Sequence, residues 1–94
     1  MSSTTVSTLQ KEYNRLKTIR DNYASANFIF DLNDADSTYL KLCIQTEEAY
    51  RELKKAELPE FKFQRLYAPV ISYRIEGLKS RLDNLRFKKN RGVA

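Results

Sequence analysis

Two glycines and two prolines are the only strong backbone punctuators in 94 residues. A sandwich or barrel needs a turn signal roughly every 8–12 residues, and most of those turns draw on glycine or proline. This chain cannot supply them. Its apolar residues also recur at steps of three and four, so the spacing predicts an all-α protein built from a few long helices. At 94 residues one core suffices, and a single domain is predicted over 1–94, with flexible ends at 1–5 and 91–94.

In the first segment Val6, Leu9, Tyr13, Leu16, Ile19 and Tyr23 fall on one stripe at 100° per residue. Ser7, three residues before Gln10, has the spacing of a capping box and places the helix start between residues 5 and 8. Arg20 interrupts the stripe and is read as lying at its edge, its stem on apolar surface and its head in water or near a carboxylate of a neighbouring helix. Residues 31–37, Asp-Leu-Asn-Asp-Ala-Asp-Ser, form a connection rich in capping residues. Counted from Asp31 as a calcium loop, Ala35 would have to be a ligand and Asp36 the required glycine, so an EF-hand is rejected.

The second helix is predicted from Asp36 to Glu57. Its broad face carries Tyr39, Leu42, Cys43, Thr46, Ala49, Tyr50, Leu53 and Ala56, while Leu40 and Ile44 point elsewhere. Two apolar patches imply two neighbours, which marks this helix as the centre of the bundle or as a homodimer seam. The expected dimer interface is Leu40, Ile44, Ala49 and Ala56, where the small alanines would admit close approach. Glu47 and Arg51 have the spacing of a helix-stabilising ion pair. After Pro59 a short aromatic segment, 59–67, is favoured as a brief helix over a strand, because no partner strand is visible. A last helix begins at Ala68-Pro69, or continues from a kink there, and ends near Asn90 before Gly92. Ile71, Ile75, Leu78, Leu82 and Leu85 alternate steps of four and three, giving it a heptad seam. Gly77 within it is read as exposed or at a close helix contact. The predicted architecture is a small antiparallel three-helix bundle, four-helix if 59–67 is helical, and dimeric.

Charge is not spread evenly. Residues 1–30 have a balance of +2, residues 31–60 of −4, and residues 61–94 of +7. On the last helix Lys79 and Arg86 lie within reach of Glu76 and Asp83, but Arg74, Arg81 and Lys88 have no acid three or four positions away. With Lys89 and Arg91 they form a basic strip along the helix and over its end. Some of these cations could meet Glu47, Glu48, Glu52 or Glu57 from the second helix; left open, they would contact phosphates, joined by Lys11 and Arg15 of the first helix.

The chain has no histidine or tryptophan and one cysteine. That removes His-based general bases, internal disulfides and most metal sites, so neither an enzyme, a metal nor a cofactor is expected. Cys43 lies on an apolar stripe and reads as a small hydrophobe. The first thirty residues show no leader or membrane span, which predicts a cytoplasmic protein without a membrane partner. The expected function is non-enzymatic binding of double-stranded nucleic acid through Arg74, Arg81, Lys88, Lys89, Arg91, Lys11 and Arg15, without base readout. The alternative is a protein-interaction module, an assembly factor, adaptor or inhibitor, docking on an acidic protein surface. In layout alone the arrangement resembles small helical viral proteins that bind double-stranded RNA along a dimer face; no shared motif carries residues across.

Overall fold

Four helices account for nearly the whole chain in the computed structural model, which describes the backbone of residues 3–93 and the side chains of residues 5–86. They are α1 (Ser3–Ala26), α2 (Ser37–Glu57), α3 (Glu60–Leu66) and α4 (Ala68–Val93). The short aromatic segment is therefore a helix, as favoured, and the count is four. α1 begins at Ser3, so Ser7 lies inside the helix and its capping-box spacing is not used at a terminus. α4 continues past Asn90 and through Gly92 to Val93. One glycine costs a helix about 1 kcal/mol, too little to stop one that gains a backbone hydrogen bond for each residue added.

α2 is the centre. α1 packs along one side of it and α4 along another, and among the described residues α1 and α4 do not touch. The result is an open, bundle-like arrangement of helices measuring 52 × 27 × 18 Å. Helical geometry explains the openness. Thr46 and Leu53 lie within about 20° of each other around α2, on the side of Tyr50, whose ring meets Tyr13 of α1 at 5.3 Å. Leu40 and Ile44 lie roughly 120–160° further round. They join Phe63 of α3 and the α4 seam, Ile71, Ile75, Leu78 and Leu82, in one buried cluster. The buried Thr46 hydroxyl donates to the Leu42 carbonyl at 2.7 Å, which satisfies it without a second helix.

This placement corrects the expected dimer seam. Leu40 is 1% exposed and Ile44 is buried beside it, so both are covered by this chain's own α3 and α4. An apolar patch on a sequence wheel shows that something covers it, not what does. Ala49 and Ala56 do remain at the surface, half-buried in shallow grooves between α1 and α2.

The α1–α2 connection is held at both ends. Asp36 is the N-cap of α2: one carboxylate oxygen accepts the Tyr39 N–H at 2.8 Å, and the other accepts the Tyr23 hydroxyl of α1 at 2.6 Å. α1 ends in a Schellman motif, in which the Ile29 N–H reaches the Ala24 carbonyl at 2.9 Å and the Phe28 N–H faces the Ser25 carbonyl at 3.5 Å. That motif needs a left-handed residue, and Phe28 supplies it with φ at 56°. Glycine is the usual occupant because a Cβ is strained there. Replacing Phe28 with glycine is expected to stabilise the fold by about 0.5–1 kcal/mol, the relief of strain exceeding the added chain entropy. Thermal unfolding checks this: the melting temperature should rise by a few degrees, and a fall would mean the ring makes stabilising contacts.

Candidate nucleic-acid interface

The seam fixes which way every α4 cation points. With Ile71, Ile75, Leu78 and Leu82 turned into the core, Arg74 and Arg81 emerge on the flank facing the channel between α1 and α4. Lys79 and Arg86 emerge on the other flank. α4 is 26 residues long and so extends about 39 Å, which spreads these charges along a rod.

The two arginines of the strip differ. Arg74 Nε and Nη2 each lie 3.1 Å from Glu47 Oε2, and the guanidinium carbon sits 5.7 Å from the Tyr50 ring centroid. Arg74 thus ties α4 to α2, a contact across 27 residues of sequence, and its charge is already answered. Being partly exposed, the pair adds at most about 1 kcal/mol to stability. Glu47 meets Arg74 and not Arg51, so the expected helical pair on α2 is replaced by one between helices. Arg81 is exposed and makes no ion pair among the described residues. Lys79 and Arg86 are exposed too, and neither meets Glu76 or Asp83 within ion-pair distance. Spacing permits such pairs on an open helix, but solvation of both partners competes with them.

Two cations that the sequence reading passed over belong with these. Lys62 and Arg65 of α3 are exposed and make no ion pair among the described residues. Both are part of the +7 balance of the last third, but a seven-residue helix is too short for spacing alone to line them up with the cations of α4. Lys88, Lys89 and Arg91 stand on helical backbone, and their side chains lie outside the described residues.

The α1 cations are elsewhere. Because α2 separates α1 from α4, Lys11 and Arg15 are not brought to the strip. Lys11 is exposed and unpaired among the described residues. Arg15 is bound by Glu12, Nη2 to Oε1 at 2.6 Å and Nε to Oε2 at 3.0 Å. That hydrogen bonding lowers the Glu12 pKa from its ordinary value and raises that of Arg15. Glu48 and Glu52 line the same groove, so the surface around Arg15 is acidic. Arg20 likewise finds its carboxylate on its own helix, at Asp21, 3.0 Å away, and not on a neighbour.

Cys43 lies in the core, as its stripe implied, and burial pushes its thiol pKa up. Less thiolate and less access both slow reaction, so a disulfide reagent at pH 8 should modify Cys43 roughly tenfold or more slowly in the folded than in the urea-unfolded chain. Equal rates would place the thiol at the surface.

Among the described residues no group of His, Cys, Asp or Glu could hold a metal ion, and no helix is long and apolar enough to cross a membrane. Comparison with family models, with curated proteins and with solved structures gives no match, so the site stands on its own geometry.

Proposed function

We propose that this chain is a non-enzymatic nucleic-acid-binding protein that grips the phosphate backbone of a duplex and reads no bases. One observation carries the reading: Lys79 and Arg86 on one flank of α4 and Arg81 on the other stand open to solvent, without an ion pair among the described residues although Glu76 and Asp83 lie on the same helix, so a duplex lying along α4 would meet cations on both sides of it. Burying or pairing a cation removes it from a partner's reach, and these three are neither buried nor paired. Lys62 and Arg65 extend the positive field past the start of α4, and Lys88, Lys89 and Arg91 extend it in sequence past its described side chains. A rod of cations on a helix that otherwise serves the core suits a regular array of phosphates better than a small ligand. Base readout has no support, since no recognition motif is present.

The test is a titration of nuclease-treated protein with random duplex DNA and duplex RNA at low and moderate salt. Tight binding at low salt that weakens steeply as salt rises supports the reading; no binding at low salt rejects it. A second reading, a protein-docking module, draws on the α3–α4 corner, where Phe61, Leu66, Val70 and Tyr73 are all exposed. It predicts a nuclease-resistant complex with one protein, insensitive to charge reversal at Arg81.

A further inference from the structure

α2 has a third face. Its sides toward α1 and toward α3 and α4 are covered, but Gln45, Ala49, Glu52 and Ala56 lie roughly 60–120° round from Thr46, turned away from Leu40 and Ile44. Along that face α1 and α2 leave a groove in two stretches, of about 450 and 400 Å³. Leu9 and Glu52 line both stretches, so the groove is continuous. From Gln45 to Ala56 it follows α2 for about 17 Å, three turns of helix.

Both walls repeat at helical steps. α1 contributes Leu9, Glu12 and Leu16, at steps of three and four; on α2 the residues of this face step by four, three and four. Leu9, Leu16, Ala49 and Ala56 make an apolar floor, and each is half-buried. The alanines keep the α2 wall low enough for another backbone to come close. Two parallel ridges of this spacing accept the ridge of a third helix laid between them. An extended strand, which repeats every two residues, does not match them.

Charge decides which kind of helix fits. Glu12 is already answered by Arg15. Glu48, Glu52 and Glu60 are exposed and make no ion pair among the described residues, and the one open cation of the lining is Lys55. Three open carboxylates against one open ammonium leave the rim acidic, and cations flanking an apolar stripe answer it. Phosphates or an acidic helix would be repelled. A second copy laid groove to groove would set carboxylate against carboxylate. We infer that the α1–α2 groove is the docking site of a basic amphipathic helix from a partner protein. Its apolar stripe seats on Leu9, Leu16, Ala49 and Ala56, and its lysines or arginines meet Glu48, Glu52 and Glu60.

The inference does not rest on nucleic-acid binding, since the groove uses none of the open cations of α3 and α4. The probe is a labelled synthetic helix of about 18 residues, with leucine and alanine at 3,4 spacing and lysine and arginine on both flanks. Fluorescence anisotropy follows its binding to the nuclease-treated chain at about 150 mM salt, where charges more than ~8 Å away are largely screened. A dissociation constant of about 1–100 µM is expected. A permuted peptide whose apolar residues no longer share one face, and one with glutamate for every cation, should each bind at least about tenfold more weakly. The double variant Glu48→Lys, Glu52→Lys should lose about tenfold or more while keeping its duplex affinity. Glu76→Lys with Asp83→Lys, the same change of net charge away from the groove, should stay within about threefold of wild type. No binding of the basic amphipathic helix, equal binding of either control peptide, or equal losses in the two double variants overturns the proposal. So does a wild-type chain that dimerises in sedimentation and stops doing so in the Glu48→Lys, Glu52→Lys variant, since a second copy would then occupy the groove.

Discussion

Truncating Leu40 to alanine is expected to cost about 2–5 kcal/mol of folding stability. The side chain is 1% exposed and belongs to the cluster in which α2 meets α3 and the α4 seam. Removing it loses the transfer free energy of the buried methyls and leaves a cavity whose helical walls cannot close. A chain of 94 residues has roughly 5–14 kcal/mol of stability in total, so the variant sits near its unfolding midpoint in mild urea. Urea unfolding at two protein concentrations is the measurement. A residue in the core loses the same free energy at both. A residue on a dimer seam would show a loss that depends on concentration, because its stability is coupled to association. Ala56→Ser, at the surface groove, should change stability by no more than about 0.5 kcal/mol.

The contrast between Leu40 and Ala56 shows what a sequence carries about such a fold. The α4 seam was legible because a 3,4 repeat has one physical cause, a buried edge. α2 was legible as the central helix because two apolar directions need two neighbours. What covered each direction was not legible, since a helical wheel has no information about the next helix. For the same reason Glu47 was assigned to Arg51, four residues away, when its partner was Arg74 on another helix. Local spacing sees only local partners. How openly the bundle packs was not legible either: the two faces of α2 point apart by more than a third of a turn, so α1 and α4 pack on different sides of it. The Phe28 cap gave no usable signal. Left-handed caps are recognised by glycine or asparagine, and a phenylalanine with positive φ is visible only in coordinates.

For the basic site the decisive prediction concerns how affinity depends on salt. Each phosphate neutralised by a lysine or arginine releases condensed counterions, and each contact contributes about 0.9 to the slope of log affinity against log salt. Replacing Lys79, Arg81 and Arg86 together with alanine should make that slope shallower by about 2.7 and weaken binding about a thousandfold at 50 mM salt. The loss should be alike for unrelated duplex sequences, because the contacts are to phosphate. Arg74→Ala is the informative companion. Its guanidinium is already held by Glu47, so removing it frees a carboxylate near the strip without removing an open cation. The slope should change by less than one unit, while affinity falls modestly through the added negative charge. Fluorescence anisotropy with a labelled duplex between about 50 and 200 mM salt measures both variants. If the triple variant keeps the wild-type slope, the open cations of α4 are ordinary solvated charges, and the proposed interface is on another surface or does not exist.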